Sequence, residues 1–191
     1  MAIAAVLVLV LAIVFAFNLG RDSISPSDET APEASEEPTQ RPPRPVDLAA
    51  VTDFDPEGDD RSENSDTVPL ATDGDPATAW RTSTYFDPLS QQKSGVGLML
   101  DLGEPVDVTD VRLTMIGAGT DLELRAAPDA RTAPTSLDQT EVVARAPGAG
   151  TQVTLAPDEP VTTRFVLLWL TELPAVDGGY RGQVAEIVAR S

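Results

Sequence analysis

An acidic turn offers oxygen ligands at short spacing. It lies in residues 70–80, which read Leu-Ala-Thr-Asp-Gly-Asp-Pro-Ala-Thr-Ala-Trp. Asp73, Gly74 and Asp75 predict a tight turn, with Gly74 at a strained backbone position. Carboxylate and carbonyl oxygens two residues apart in a turn can converge on one hard cation, such as calcium. In the alternative interpretation, Asp73 and Asp75 only shape the turn.

Two further segments combine aromatic rings, which could stack on a ligand, with polar groups, which could contact its polar atoms. The candidate ligand-binding residues are Tyr85, Phe86, Gln91, Lys93, Glu172, Tyr180 and Arg181. Tyr85 and Phe86 would form a stacking platform if both were exposed. In the alternative, one of them closes the end of the fold and the other covers it. Lys93, the only lysine, has no partner motif for a catalytic amine and is interpreted as a solvated loop residue.

The composition argues against several classes of function. Without cysteine or histidine, zinc sites built on sulfur or imidazole, Ser-His-Asp and Cys-His systems and redox thiols lack their parts. The net charge of −18 argues against nucleic acid, because phosphate binding needs clustered lysine and arginine. No pair of carboxylates is marked as facing across a cleft, as a glycosidase requires. We therefore expect no enzymatic activity.

Residues 53–66 form an acid-rich segment with seven carboxylates and one arginine. The segment lacks the ordered acidic positions, central glycine and distant glutamate of an EF-hand. It is interpreted as a solvated charged loop, with a second cation site as the alternative.

The N-terminal part of the chain predicts an anchor and a spacer. Residues 1–17 carry no polar or charged side chain, and a helix over residues 1–20 would span roughly 30 Å, enough for one membrane crossing. No basic region precedes the apolar run, which disfavours a cleaved signal peptide. Residues 21–46, rich in proline and acids, predict a linker. The acidic sequence that follows does not resemble a cytoplasmic flank, so we expect a single-pass cell-membrane protein with an extracytoplasmic C-terminal domain.

The predicted domain, residues 47–191, carries the patterns of strands. Apolar and polar residues alternate at positions 111–115, 121–125 and 152–155, as in strands with one buried face. Residues 165–170 form an unbroken apolar run, typical of a strand buried on both faces. A short terminal strand, residues 184–188, is interrupted by Glu186. Turn signals occur at residues 73–76, 103–105, 127–129, 146–148 and 177–179. Many short strands without an amphipathic helix predict an all-β, antiparallel sandwich.

In this order, the motifs resemble the galactose-binding-like family, also called discoidin or F5/8 type C domains. The resemblance rests on Asp-Gly-Asp-x-x-Thr-x-Trp at residues 73–80, on Asp-Leu-Gly at residues 101–103 after an apolar strand, on a late strand rich in Val, Leu and Trp, and on Ala185-Glu186 in the last strand. It implies a jelly-roll β-sandwich.

Many members of that family hold a structural calcium ion. Carried onto this chain, the resemblance implies ligands from the acidic turn and from the last strand. These ligands are Asp73, Asp75, Thr78, Glu186 and the carbonyl oxygens of Leu70 and Ala185. Calcium would explain why Glu186 interrupts an apolar strand, because a buried carboxylate is costly unless a cation or donor compensates it. In the alternative, Glu186 points to solvent or meets an arginine.

The N-terminal features extend the resemblance. The apolar segment, the linker, Phe-Asp-Pro-Glu-Gly-Asp-Asp at residues 54–60 and Glu63-Asn64 are similar to the C-terminal region of MviN-type proteins. In that family, a lipid II flippase, or a pseudokinase encoded with it, continues through a membrane helix into an extracytoplasmic domain. The chain has no flippase helices and no kinase motifs, and it could be the tail of a longer protein. The resemblance implies a role in peptidoglycan synthesis.

Two functions of different class follow. The first is a non-catalytic, membrane-anchored module that recognises cell-wall glycan. The second is a protein-interaction or scaffold domain that contacts extracytoplasmic envelope proteins. Glycan binding predicts exposed aromatic side chains in a loop region, whereas a scaffold predicts a larger exposed apolar patch.

Overall fold

The computed structural model describes residues 42–191. The predicted membrane segment, residues 1–20, and residues 21–41 of the predicted linker lie outside the described residues. Between Pro42 and Ser191, no helix has the length and apolar character needed to cross a membrane.

Strands dominate the described part of the chain. They are β1 (Ala50–Phe54), β2 (Trp80–Arg81), β3 (Val96–Val108), β4 (Asp110–Met115), β5 (Thr120–Ala126), β6 (Glu141–Ala149), β7 (Gln152–Leu155), β8 (Val161–Glu172), β9 (Ala175–Val176), β10 (Gly179–Tyr180) and β11 (Gln183–Arg190). Short 3₁₀ helices cover Ser65–Ala71, Leu89–Gln91 and Leu137–Gln139.

The longer strands form two antiparallel sheets. One sheet has the order β1-β3-β8-β5-β6 and the other has the order β2-β11-β4-β7, while β9 and β10 form a hairpin. Side chains of both sheets, among them Leu100 and Leu168 on the first and Leu113 and Ile187 on the second, meet in the main core. The predicted all-β sandwich is confirmed. Its apolar residues alternate along the strands because only one face of most strands meets this core.

Strand β8 is buried on both faces, as its unbroken apolar run predicts. Val166, Leu168 and Leu170 belong to the main core, and Phe165, Leu167 and Trp169 belong to a second apolar cluster with Phe54 and Met99. Residues 127–137 contribute Ala127, Ala130 and Leu137 to this second cluster. This cover on the outer face of the five-stranded sheet explains why no polar residue interrupts the run.

Two predicted turns lie within strands instead. Residues 103–105 are part of β3, where the register with β8 shifts between Asp101 and Val106. Residues 146–148 are part of β6, where Pro147 and Gly148 lie between the paired positions Ala146 and Ala149. Both segments are bulges, in which glycine and proline interrupt the ladder without ending the strand. Pro147 is tolerated because β6 is an edge strand.

The two ends of the sandwich differ. At one end, the backbone of Arg44 exchanges hydrogen bonds with Ser191 (2.8 and 3.0 Å), and the N–H of Val46 donates to Ala189 (2.9 Å). The last residues of the predicted linker are therefore paired with the C-terminal strand. The loops of residues 82–95 and 173–182 lie at the opposite end, where Val96 pairs with Leu170. We call this second end the distal end.

Candidate functional site

The two predicted binding loops meet at the distal end. The backbones of Tyr85 and Tyr180 exchange two hydrogen bonds, of 2.9 and 2.8 Å. The N–H of Thr82 donates to the carbonyl of Gly182 (3.1 Å). Gly179 has a φ of 148°, and a Cβ at this position would overlap the carbonyl oxygen of Tyr85. Glycine is therefore required for the close approach of the loops.

Tyr85 and Phe86 point in opposite directions. Tyr85 is 8 % exposed and belongs to the core, and its hydroxyl donates to Oε2 of Glu63 at 2.8 Å. Burial, together with the carboxylate of Glu63, raises the pKa of Tyr85. Phe86 is 86 % exposed. One ring therefore closes the end of the sandwich, as in the alternative, but the other does not cover it, and of this pair Phe86 is the ring that can stack on a ligand.

Lys93 is paired inside the protein. Its side chain is 12 % exposed, and Nζ lies 2.6 Å from Oδ2 of Asp55 and 4.0 Å from Oε2 of Glu63. Nζ also lies 5.1 Å from the centre of the Tyr85 ring. The expectation of a solvated loop lysine is wrong, because two buried carboxylates hold the ammonium group. Lys93 is accordingly not free to contact a ligand.

The other predicted ligand-binding residues remain accessible. Gln91 is exposed, and Glu172, Tyr180 and Arg181 are half-buried. Arg181 Nε is buried and, within residues 42–191, has no hydrogen-bond partner. We define the Phe86 surface as these four residues together with Phe86. It offers one apolar ring, an amide, a carboxylate, a phenol and a guanidinium group, which is a set that can stack on a sugar ring and bind hydroxyls.

A cavity of about 430 Å³ lies elsewhere in the fold. It is lined by residues 126–134 and 138–141, beside the segment that covers the outer face of the five-stranded sheet. It contains none of the predicted ligand-binding residues.

Hydrogen bonds between residues of the acidic turn stabilise its conformation. The N–H of Asp75 and the hydroxyl of Thr78 donate to the two carboxylate oxygens of Asp73, at 2.9 and 2.7 Å. The N–H of Ala77 donates to Oδ1 of Asp75 at 2.9 Å. The first two donors hold the pKa of Asp73 below its usual range. Asp73 and Asp75 therefore shape the turn, whether or not an ion is bound.

Glu186 faces this turn because of a bulge in β11. Val184 pairs with Met115 and Glu186 pairs with Thr114, so Ala185 is the extra residue. Burial raises the pKa of Glu186, and the neighbouring Asp73 carboxylate raises it further. Its Oε1 is buried and, within residues 42–191, has no hydrogen-bond partner. The Gly74 N–H and the Asp73 carboxylate neighbour Glu186, and a cation beside Asp73 would satisfy this buried oxygen.

The turn and the bulge bring two carboxylates together, not three. Among residues 42–191, no group of three or more His, Cys, Asp and Glu residues could hold a metal ion. Leu70 lies in the 3₁₀ helix Ser65–Ala71, just before the turn, and Ala185 directly precedes Glu186. A cation at this place would need carbonyl and hydroxyl oxygens beside Asp73 and Glu186, and calcium accepts such ligands.

Sequence reasoning missed two buried acids of the acid-rich segment. Asp55 is 4 % exposed and pairs with Lys93, and Glu63 is 2 % exposed and binds Tyr85 and the N–H of Ser83. The interpretation as a solvated loop is therefore wrong for these two residues. The only signal was the lone lysine among many acids, because a buried ammonium group needs a carboxylate partner.

No protein-family model matches the chain. Solved structures do match its fold. A chitosan-binding module from a chitosanase/glucanase of Paenibacillus sp. IK-5 aligns with a TM-score of 0.56 and 18 % identity, over 78 % of this chain and 100 % of that chain. The family 32 carbohydrate-binding module of AlyQ, in complex with 4,5-unsaturated mannuronic acid, aligns with a TM-score of 0.54 and 14 % identity. The alignment covers 76 % of this chain and 97 % of that chain. The family 32 module of NanJ from C. perfringens, in complex with galactose, aligns with a TM-score of 0.51 and 17 % identity. The alignment covers 74 % of this chain and 93 % of that chain.

These similarities define the class of fold. Residues 42–191 form a jelly-roll β-sandwich of the galactose-binding-like type, the fold of these carbohydrate-binding modules. At 14 to 18 % identity the likeness concerns the fold and does not identify a ligand.

Proposed function

We propose that the protein is a non-catalytic glycan-binding module that contacts its ligand through the Phe86 surface. The observation that carries this proposal is the 86 % exposure of Phe86 in a loop that backbone hydrogen bonds fasten to the β9–β10 hairpin. An exposed apolar ring, on a loop that backbone hydrogen bonds hold in place, is suited to stacking on the face of a sugar. Gln91, Glu172 and Arg181 would bind the hydroxyl groups around it.

The position of the Phe86 surface also supports binding to an extended target. Arg44, near the start of the described residues, pairs with Ser191 at the opposite end of the sandwich, so the connection to the linker leaves the distal end free. If residues 1–20 anchor the chain as predicted, the module would bind cell-wall glycan at the cell membrane during peptidoglycan synthesis.

The net charge of the protein limits the class of glycan that it can bind. The ligands in the names of the structural neighbours are chitosan, an unsaturated mannuronic acid and galactose, so they span cationic, anionic and neutral sugars. A chain with a net charge of −18 repels polyanions at moderate ionic strength. The ligand of this protein is therefore a neutral or amine-bearing glycan.

Calcium is proposed as a structural ion of the same domain. Asp73 and Glu186 would hold it, together with the hydroxyl of Thr78, the carbonyl oxygens of Leu70 and Ala185, and Asp75 if its carboxylate turns away from Ala77. The buried Oε1 of Glu186 supports this assignment. The ion would join the acidic turn to β11 and would take no part in any reaction.

The scaffold function is less well supported. A scaffold needs a broad apolar surface, but the large apolar side chains that are exposed within residues 42–191 are Phe86 and Val188. Val188 lies in β11, on the four-stranded sheet, while Phe86 lies in the distal loop. One isolated ring suits a sugar better than it suits a protein surface.

Co-sedimentation of the purified chain with cell-wall sacculi and with insoluble chitosan tests the proposal. We expect wild-type protein to pellet and soluble glycan fragments to compete. Phe86→Ala should weaken binding at least about tenfold, because the loss of a stacked ring removes a central contact. Val188→Ala is the matched control, since it removes another exposed apolar side chain. Equal pelleting of Phe86→Ala and wild type, or no pelleting with any glycan, would overturn the proposal.

A further inference from the structure

The acid-rich segment, residues 53–66, lies beneath the loop that carries Phe86. Glu63 enters this region as a buried carboxylate, 2 % exposed. Its Oε1 accepts the N–H of Ser83 at 2.5 Å, and its Oε2 accepts the hydroxyl of Tyr85 at 2.8 Å. Its backbone carbonyl accepts the indole N–H of Trp80 at 2.8 Å. One residue thus contacts three positions of residues 80–85.

The backbone around Glu63 is strained. Arg61 and Asn64 have φ values of 58° and 55°, in the left-handed region, which asparagine tolerates but arginine rarely adopts. The Nδ2 of Asn64 donates to the carbonyl of Arg81 at 2.7 Å. Strain of this kind persists only where surrounding contacts compensate it, and it clusters near functional sites. Here the strained segment directs the Glu63 side chain inward, under the loop.

A second contact holds the other end of the loop. Asp55, 4 % exposed, pairs with Lys93 at 2.6 Å. A Cβ at Gly58 would overlap Oδ2 of Asp55, so this glycine leaves room for the ion pair. Glu57 accepts hydrogen bonds from the N–H of Ser94, at 3.2 Å, and from its hydroxyl. Residues 83 and 93–94, on both sides of Phe86, are therefore fixed by the acid-rich segment.

These contacts determine where Phe86 points. Phe86 lies in the bend that directly follows Tyr85, and its ring is 86 % exposed. The backbone of Tyr85 is bridged to Tyr180, and its ring is held below by Glu63 and Lys93. These anchors leave the Phe86 ring on the solvent side of Tyr85. A loop whose backbone is held in this way loses less conformational freedom on binding than a mobile loop does, which favours affinity.

We propose that Glu63 and Asp55 are positioning residues for the Phe86 surface. The acid-rich segment preorganises the binding loop and does not touch the ligand itself. This inference rests on the proposed function, because it assigns a role beneath the same surface. The sequence resemblance rests in part on residues 54–60 and on Glu63-Asn64. The inference assigns these residues a structural role beneath the loop.

The test compares Glu63→Ala with Glu63→Gln. Alanine leaves the Ser83 N–H and the Tyr85 hydroxyl without partners. Glutamine can restore both contacts, because its oxygen accepts from Ser83 and its amide donates to the Tyr85 oxygen, which can also act as an acceptor. In co-sedimentation with chitosan and sacculi, we expect Glu63→Ala to lose at least about fivefold in affinity and Glu63→Gln to recover most of it.

A stability control separates positioning from general loosening. Asp101→Ala removes two hydrogen bonds from Arg164, of 2.7 and 2.8 Å, at a distance from the distal end. We expect it to lower the Tm and leave glycan affinity within about twofold of wild type. If Glu63→Ala and Asp101→Ala lose affinity only in proportion to their loss of Tm, the positioning role is refuted.

Hydrogen exchange provides a readout that needs no ligand. We expect the Ser83 amide to exchange faster in Glu63→Ala than in Asp101→Ala, and to be protected again in Glu63→Gln. Unchanged protection of Ser83 in Glu63→Ala would overturn the inference. If wild-type protein binds no glycan, the proposed function fails, while exchange at Ser83 still decides whether Glu63 positions the loop.

Discussion

Tyr85 and Phe86 are adjacent in the chain, but Tyr85 is 8 % exposed and Phe86 is 86 % exposed. The first ring closes the distal end of the sandwich, and its hydroxyl donates to buried Glu63. The second ring stands in solvent. This division turns an aromatic pair into one structural and one accessible side chain. Predictions for the two residues therefore differ.

Replacing Tyr85 should reduce stability, unlike replacing Phe86. Tyr85→Ala removes a core ring and should cost about 3 kcal/mol of unfolding free energy. Tyr85→Phe keeps the ring but leaves Glu63 without one donor, which should cost about 1–3 kcal/mol. Phe86→Ala should change the Tm by less than about 1 °C, because its ring is exposed. Thermal melts of the three variants measure this, and a large loss in Phe86→Ala would show that its ring is packed.

Removing calcium should lower the stability of the wild-type domain. At a calcium concentration of about 100 Kd, binding to the folded state adds about 2.7 kcal/mol. In chelator, the carboxylates of Asp73 and Glu186 repel each other, since each neighbours the other's charge. The double variant Asp73→Ala/Glu186→Ala lacks both carboxylate ligands, so its Tm should no longer depend on calcium. Identical wild-type melts in calcium and in chelator would rule out the ion.

The stability contributed by Glu63 should depend on pH. Burial raises the pKa of Glu63 above its ordinary value of 4.5. Between that value and the raised one, the folded protein binds more protons than the unfolded chain, so this contribution falls as pH rises through the window. The Tm of wild type relative to Glu63→Gln should thus be highest at about pH 4 and decrease toward neutral pH. A difference that does not vary with pH would contradict the assigned shift.

Glycan charge should decide the salt dependence of binding. Binding to chitosan should weaken as salt rises, because screening reduces the attraction between its amines and an acidic protein. Pectin should bind poorly at low salt and no worse at high salt, since screening reduces repulsion. Phe86→Ala provides the control for charge-driven adhesion, because it retains the net charge of −18. Pectin binding that exceeds chitosan binding at low salt would refute the proposed ligand class.

Gly179 should be intolerant of a side chain. A Cβ there would overlap the carbonyl oxygen of Tyr85, and the φ of 148° disfavours any other residue. Gly179→Ala should separate the two distal loops and lower both the Tm and glycan affinity. Gly178→Ala offers a comparison: it also has a positive φ, of 88°, but meets no atom within 4 Å. Equal effects of the two substitutions would show that backbone strain, not contact between the loops, is responsible.

Local pattern was sufficient for part of the fold, because it predicted the segments that form β4, β5, β7, β8 and β11. Strand β8 could be predicted because an apolar run from Phe165 to Leu170 suits burial on both faces. The segments at residues 103–105 and 146–148 could not, because glycine and proline give similar signals in turns and in bulges. The bulge at Ala185 was hidden for a different reason, because no glycine or proline marks it. It shifts the alternation of β11 by one residue and places Glu186 beside Asp73.

The sequence by itself determined the class of fold, the absence of cysteine and histidine chemistry, and the two segments that meet at the distal end. These properties depend on composition and on the alternation of neighbouring residues. Only the tertiary structure decided which aromatic ring is exposed and which acids are buried. Lys93 meets Asp55, 38 positions away, and Tyr85 meets Glu63, 22 positions away. Burial and charge pairing arise from contacts between such distant segments, and no local pattern specifies them.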